Sequence, residues 1–209
     1  MRRILIADDH PIVRRGLKEI ILESFPSAEI TEVGDAEELI EKVIKEEWDV
    51  VISDLAMPGR TGLEAMQQIK LHSPKLPVLI LSMYSEDQYA IRVLKAGASG
   101  YLNKDMAPEE LVNAINKVLS GRKYITPSIA EKLASNVNFD SDKLPHELLS
   151  DREFEVLKMM ASGKSVTDIG ASLFLSTTTI STYRSRILTK MNLKTNADLT
   201  QYAIEHKLM

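Results

Sequence analysis

The chain has 209 residues, which suits two domains of ordinary size, and 44% of the residues are hydrophobic, which is enough for packed cores. It has no cysteine, which excludes disulfide bonds and thiolate metal sites, and no apolar stretch as long as a signal peptide or a membrane span. The net charge of −4 argues against a nucleic-acid-binding protein when it is taken over the whole chain. We therefore expect a soluble, cytoplasmic protein that has no membrane as a partner.

Short apolar runs alternate with amphipathic helical stretches over the first ~120 residues, which is typical of a parallel βα domain. The apolar runs are Ile4–Ala7, Glu29–Val33, Val50–Ser53, Val78–Ser82 and Ser99–Leu102. The helical stretches are 10–24, 35–46, 62–72, 86–95 and 107–120, and Pro58-Gly59 marks a turn before the third of them. The alternation predicts an α/β fold with a doubly wound, five-stranded parallel sheet.

The pattern changes after this domain. Residues 123–147 lose the alternation and read as a polar linker, with a short helix predicted at 127–135. From Ser150 the pattern is helical only, with predicted helices at 151–161, 165–172, 177–191 and 196–206. The sequence thus predicts three parts: a domain at 1–122, a linker at 123–147 and a small all-α domain at 148–209.

Polar residues fall where four of the five predicted strands end. Asp8 and Asp9 follow the first strand, and Asp54, Ser82 and Lys104 lie at or after the third, fourth and fifth. Each alone has an ordinary explanation as a helix cap or a solvated loop residue. Because parallel strands direct their carboxyl ends to one edge of the sheet, the set predicts a common site there.

The chemistry of that set indicates phosphoryl transfer. Three neighbouring carboxylates repel one another and need a hard cation with oxygen ligands, for which Mg²⁺ is the expected ion. One of them, Asp54, is placed to act as a nucleophile and form an aspartyl-phosphate. Lys104 offers a cation and Ser82 a hydroxyl donor to the phosphoryl oxygens.

Residues 1–120 resemble the receiver domain of two-component response regulators. The resemblance rests on Asp8-Asp9, Asp54-Leu55-Ala56-Met57-Pro58-Gly59, Ser82, Gly97-Ala98-Ser99-Gly100-Tyr101-Leu102 and Lys104. It implies that Asp54 accepts the phosphoryl group from a sensor histidine kinase, and that Ser82 and Tyr101 form a switch pair. It also implies Mg²⁺ bound by Asp9, Asp54 and the Ala56 carbonyl, with Asp8 acting through water.

The helices after Ser150 have the spacing of a helix-turn-helix. The third of them has an apolar stripe and an opposite face of hydroxyl and basic side chains, which suit base edges and phosphates in a major groove. That face consists of Thr178, Ser181, Thr182, Arg184, Ser185, Arg186 and Lys190. Residues 148–209 carry 8 basic and 6 acidic residues, whereas residues 1–122 carry 15 and 20, so the C-terminal part is the one suited to a polyanion.

This segment resembles the LuxR-type helix-turn-helix, and nearly the whole chain resembles the NarL/FixJ class of response regulators. The resemblance implies sequence-specific transcription regulation by a protein that dimerises on phosphorylation and binds double-stranded promoter DNA, with RNA polymerase as a further candidate partner. It assigns Ser181, Thr182 and Ser185 to base-facing positions, and Arg184 and Arg186 to positions near phosphates.

Two alternatives remain open at this point. One is an enzyme, such as a phosphatase with a similar acidic pocket, although no residue is evidently placed to activate water and the C-terminal half is left unexplained. The other is a receiver whose C-terminal helices bind protein. Turnover of a phosphate ester would favour the first, and a salt-dependent gel shift on promoter DNA would exclude the second.

Overall fold

The structure is a computed structural model that describes residues 2–57, 60–84, 86–136 and 144–208. It divides into two compact units, Met1–Ala134 and Ser135–Met209. The predicted turn at Pro58-Gly59 and residues 137–143 of the predicted linker lie outside the described residues.

The first unit contains a five-stranded sheet in which every pairing is parallel, as the sequence predicts. The strands are β1 (Arg3–Ala7), β2 (Glu29–Val33), β3 (Val50–Asp54), β4 (Val78–Ser82) and β5 (Gly100–Asn103). Their order across the sheet is β2-β1-β3-β4-β5, so β1, β3 and β4 are flanked on both sides. The chain therefore reverses its winding direction beside β1 and β3, and an open α/β sheet places its site beyond the strand ends at such a point.

Helices connect these strands and begin near the predicted residues. They are α1 (Pro11–Ser24), α2 (Ala36–Lys45), α3 (Gly62–His72), α4 (Glu86–Lys95), α5 (Ala107–Leu119) and α6 (Pro127–Asn136), with a 3-10 turn at Lys104–Met106. Side chains fix two of the starts: Asp35 accepts from the Glu38 amide, and Thr61 forms a capping box with Glu64. Among the described residues, α1 and α5 pack against strand residues such as Ile6 to form a buried core.

The first unit continues beyond residue 122, where the sequence predicts that the linker begins. The Tyr124 side chain is buried in the same core, and its backbone amide donates to the Ser99 carbonyl at 2.8 Å. Tyr124 also forms an isolated parallel bridge to Gly100. The burial of Tyr124 beside β5 was not predictable from the sequence, because a single tyrosine in a polar segment gives no periodic pattern.

The second unit is helical, as predicted. After a 3-10 turn at Pro145–Leu148, it consists of α7 (Asp151–Ala161), α8 (Val166–Leu173), α9 (Thr177–Lys190) and α10 (Asn196–Glu205). Each helix begins at a hydroxyl cap: Ser150, Ser165, Ser176 and Thr195. No helix of the described residues has the length and apolar character needed to cross a membrane.

Candidate phosphorylation site and DNA-binding helix

The acidic residues predicted at the strand ends meet at one edge of the sheet. Asp54 is the last residue of β3, and its Oδ2 lies 2.7 Å from the Lys104 ammonium. The same ammonium lies 2.6 Å from Asp8 Oδ2. Asp9 belongs to the same cluster, because its carboxylate and those of Asp8 and Asp54 offer ligand atoms within 4.8 Å of one another.

This pocket is buried, and burial governs its protonation equilibria. Asp8 and Asp54 are only 1% and 3% exposed. Burial raises the pKa of Asp54 and outweighs the opposing effect of Lys104, while the nearby charge of Asp8 raises it further. Burial by itself disfavours the charged Lys104, but the carboxylates of Asp54 and Asp8 outweigh it and raise the pKa of Lys104. The pocket therefore holds a fixed cation beside two carboxylates that repel each other.

The donor set fits a hard divalent cation. Asp8 Oδ2 and Asp9 Oδ1 are buried oxygens that each lie beside a basic nitrogen, Lys104 Nζ at 2.6 Å and His10 Nδ1 at 2.7 Å. Carboxylate oxygens of this kind are the ligands that Mg²⁺ prefers, and a divalent charge would relieve their mutual repulsion. The Ala56 amide donates to Asp54 Oδ1 at 3.2 Å, which places the backbone at Ala56 next to the cluster. That its carbonyl is a ligand remains a prediction.

The predicted switch residues lie beside this pocket. Ser82 is the last residue of β4, is 1% exposed, and accepts a hydrogen bond from the Tyr84 amide at 3.1 Å. Tyr101 in β5 is fully buried, and its hydroxyl donates to the Tyr84 carbonyl at 2.7 Å. Burial raises the pKa of Tyr101 above its ordinary value, so the phenol stays a donor. The Tyr84 ring stacks on Tyr89 of α4, which links Tyr101 to the start of that helix.

A glycine allows α3 to begin in close contact with the end of β3. A Cβ at Gly62 would lie 1.9 Å from the Asp54 carbonyl oxygen, far inside van der Waals contact. The Gly62 amide donates to the Leu55 carbonyl at 2.9 Å, which fixes the end of β3. Only a residue without a side chain permits this approach, so Gly62 contributes to the position of Asp54.

In the second unit, α9 has the two faces that its sequence predicts. Ile180 and Ile187 are buried, whereas the side chains of the predicted DNA-binding face are exposed, except for the half-buried Arg184. The Ser181 and Thr182 hydroxyls donate to carbonyls one turn earlier, at 2.9 and 3.0 Å. Because each hydroxyl oxygen can still accept a hydrogen bond, both residues are suited to bind donor groups on base edges.

Two basic residues of this face also stabilise the unit itself. The Lys190 ammonium lies 2.6 Å from the carboxylate of the buried Glu153, on α7. Arg184 donates through Nε to the Asn196 side chain at 2.7 Å, at the start of α10. Arg186 is exposed and forms no ion pair with a described residue. The three basic residues are therefore not equivalent, because Lys190 and Arg184 bind side chains of the unit, whereas Arg186 binds none of those that the structure describes.

Sequence reasoning missed two residues that the structure brings into these sites. His10 joins the carboxylate cluster, with Nδ1 2.7 Å from Asp9 Oδ1. Its position directly after Asp9 was a usable signal. The other is Glu153, whose amide and carboxylate cap α7 with Ser150 and whose carboxylate also binds Lys190. No local pattern connects positions so far apart in the chain.

Comparisons with known proteins agree with this geometry. The family model described as "Response regulator receiver domain" matches residues 4–116, and the model "Bacterial regulatory proteins, luxR family" matches residues 147–203. Among curated proteins, the response regulator UvrY of Escherichia coli strain K12 is 34% identical over 209 residues, covering 100% of this chain and 96% of its own. The oxygen regulatory protein NreC of Staphylococcus carnosus is 35% identical over 214 residues, covering 99% of both chains.

Solved structures extend the likeness to most of the chain. RcsB of Salmonella enterica serovar Typhimurium, bound to the promoter rprA with the phosphomimetic BeF₃⁻, is 30% identical at a TM-score of 0.65. That comparison covers 97% of this chain and 98% of the RcsB chain. Both domains and their order are shared with these relatives. The chain therefore belongs to the two-component response regulators that join a receiver domain to a LuxR-type DNA-binding domain.

Proposed function

We propose that this response regulator accepts a phosphoryl group on Asp54 from a sensor histidine kinase, and that the phosphorylated form binds promoter DNA as a dimer. The observation that supports the first step most directly is the position of Asp54. Its carboxylate ends a central strand, is buried, and lies 2.7 Å from Lys104 within a cluster of further acids. The protein is a DNA-binding regulator and not a turnover enzyme, so the phosphatase alternative is excluded.

The transfer is an in-line displacement in which an Asp54 oxygen attacks phosphorus while the bond from phosphorus to the kinase histidine nitrogen breaks. The leaving imidazole keeps the electron pair of the broken bond. Once Asp54 carries the acyl phosphate, the Lys104 ammonium, now 2.7 Å from Asp54, would neutralise one phosphoryl oxygen and the Ser82 hydroxyl would donate to another. Asp8 keeps the ammonium in the pocket through its own 2.6 Å contact.

Asp9, Asp54 and the Ala56 carbonyl would hold Mg²⁺, with Asp8 acting through water, as the family resemblance implies. Bound there, the ion would neutralise the crowded carboxylates and the incoming phosphoryl oxygens. The closeness of the carboxylates supports this assignment: Asp8, Asp9 and Asp54 offer ligand atoms within 4.8 Å of one another, and a divalent cation would offset their mutual repulsion.

For the second step, α9 supplies the DNA-reading face. Its exposed hydroxyls suit base edges and Arg186 suits a phosphate, so specificity and affinity arise from different residues. The excess of two basic residues in 148–209 is small for a DNA-binding module. Two modules on one duplex gain affinity through effective concentration, which supports the proposed dimer. The RcsB structures with bound promoter DNA support this step by analogy.

Phosphorylation of Asp54 is tested by incubating the protein with Mg²⁺ and acetyl phosphate and mapping the acyl phosphate by mass spectrometry. We expect one added phosphoryl group on wild type and none on Asp54→Asn, which is nearly isosteric but a far weaker nucleophile. Asp49, an acid just before β3, provides the matched control, and Asp49→Asn should be labelled as wild type is. Full labelling of Asp54→Asn would assign the acceptor elsewhere.

DNA binding is tested by fluorescence anisotropy with promoter fragments over a range of salt concentrations. Arg186→Ala should weaken binding to all sequences alike and reduce the slope of log affinity against log salt by about one. Ser181→Ala should leave that slope unchanged and alter the preferred sequence, at roughly 1–3 kcal/mol for a lost base contact. Affinity that does not depend on salt would instead support the alternative in which these helices bind protein.

A further inference from the structure

The His10 side chain lies at the rim of the acidic pocket and contacts its carboxylates. It occupies the N-cap position of α1, yet its side chain makes no capping hydrogen bond to that helix within the described residues. Instead, its Nδ1 lies 2.7 Å from Asp9 Oδ1 and 3.4 Å from Asp8 Oδ1. The ring is 64% exposed, so it is not held there by packing.

The backbone fixes His10 in this place. Its amide donates to Asp8 Oδ1 at 2.8 Å, so the carboxylate that belongs to the pocket also orients the residue. Pro11 follows it and restricts the backbone at the start of α1. His10 and the three acids each offer a ligand atom, and all these atoms lie within 4.8 Å of one another.

We propose that His10 is a nitrogen ligand of the cation site and gives this pocket a preference for first-row transition-metal cations, such as Mn²⁺, relative to Mg²⁺. The proposal rests on the cation site of the proposed function and adds one ligand to it. A pocket of oxygen donors alone suits Mg²⁺, because that ion is hard and small. Imidazole suits the transition-metal ions better, so one nitrogen shifts the selectivity towards them.

The exposure of the ring supports a ligand at the open side of the site. The carboxylates of Asp8 and Asp54 are buried, whereas the His10 ring is 64% exposed. His10 would therefore contribute its nitrogen from the side of the cluster that is open to solvent. A nitrogen ligand in that position tunes which ion is held without altering the buried acids.

The test uses Mn²⁺ as the probe, with the full-length protein. Pulsed EPR detects ¹⁴N hyperfine coupling when an imidazole nitrogen binds Mn²⁺ directly, and titration with Mg²⁺ gives the ratio of the two affinities. We expect the coupling in wild type and its loss in His10→Gln, with a fall of ~10-fold in the preference for Mn²⁺ over Mg²⁺. His72→Gln, at the exposed end of α3, is the matched control and should keep both properties.

The outcomes separate this inference from the site on which it rests. Wild type that binds Mn²⁺ without ¹⁴N coupling, or coupling that survives in His10→Gln, would overturn the role of His10 and leave the carboxylate site in place. An unchanged Mn²⁺ to Mg²⁺ ratio in His10→Gln would do the same. If Asp9→Ala binds both ions as wild type does, the carboxylate site itself is wrong, and the proposed function loses its cation.

Discussion

Replacing Lys190 by methionine should destabilise the second unit, because it leaves a buried carboxylate without its cation. Glu153 has only 4% of its side chain exposed, whereas the Lys190 side chain is 42% exposed. Breaking a fully buried pair costs ~3–5 kcal/mol, but solvent screens the lysine here, so we expect a loss of about 1–3 kcal/mol. Methionine keeps most of the apolar stem, which confines the change to the charge.

The effect should depend on pH in a defined direction. Burial alone would raise the pKa of Glu153, but Lys190 and the Ser150 groups outweigh it and lower the pKa in the folded unit. A lowered folded-state pKa means that the stabilisation is present at neutral pH and is lost as the pH falls through that value. The difference between wild type and Lys190→Met should therefore shrink from roughly pH 5 to pH 3.

Hydrogen exchange of the α7 amides measures this change, with expected rates about 5- to 150-fold faster in Lys190→Met. Trp48 is the only tryptophan and lies in the first unit, so its fluorescence transition serves as an internal control that should not change. The double variant Glu153→Gln with Lys190→Met should recover most of the protection of the α7 amides against exchange, because it leaves no unpaired buried charge. Arg186→Met removes a charge from the same helix without breaking a described ion pair, and its α7 amides should exchange at wild-type rates.

Unchanged α7 exchange rates in Lys190→Met at pH 7 would show that the ion pair does not stabilise the unit. The lysine would then act only as a surface cation, and its loss would resemble that of Arg186 in the DNA-binding assay. This distinction matters, because weaker DNA binding by a Lys190 variant does not identify a phosphate contact unless the stability of the unit has been measured.

Two further predictions concern the receiver pocket. Gly62→Ala places a Cβ 1.9 Å from the Asp54 carbonyl oxygen, so the end of β3 must shift. We expect slower labelling of Asp54 by acetyl phosphate and a lower midpoint of the unfolding transition followed by Trp48 fluorescence. Wild-type values for both measurements would contradict the close approach of Gly62 to Asp54. Tyr101→Phe removes the bond to the Tyr84 carbonyl, worth about 1 kcal/mol. We expect it to retain Asp54 labelling but to change the ratio of DNA affinities measured with and without phosphorylation; an unaltered ratio would remove Tyr101 from the switch.

Most of the local structure was predictable from the sequence, because it depends on interactions between residues that are near in the chain. The helix starts are examples, because Asp35 with Glu38 and Ser150 with Glu153 form caps between residues only three positions apart. Periodicity placed the five strands within one residue of their observed bounds; β5, for example, was predicted at Ser99–Leu102 and lies at Gly100–Asn103. The parallel sheet then followed from the alternation of strands and helices.

Contacts between distant residues were not predictable in this way. The pairs Lys190 with Glu153 and Arg184 with Asn196 depend on how α9 crosses α7 and α10, and a helical pattern does not specify a crossing angle. The pocket is an exception, because parallel strands bring their carboxyl ends to one edge whatever their order. That rule made the acidic cluster predictable. The approach of the His10 ring to Asp9 was not predictable, because it depends on a side-chain rotamer that the sequence pattern does not specify.

The start of α6 is connected to the phosphorylation pocket by contacts within the first unit. Tyr101 binds the Tyr84 carbonyl in the loop before α4, and Glu86, the first residue of α4, accepts a hydrogen bond from Thr126 at 3.0 Å. Tyr124 is bridged to Gly100, the neighbour of Tyr101 in β5. Each hydrogen bond contributes about 1 kcal/mol to stability, so the loss of one of them would weaken the attachment of this segment. A rearrangement of Tyr101 would therefore alter both attachments of the segment that leads towards the DNA-binding unit, and it would do so without any direct contact between the phosphoryl group and that segment.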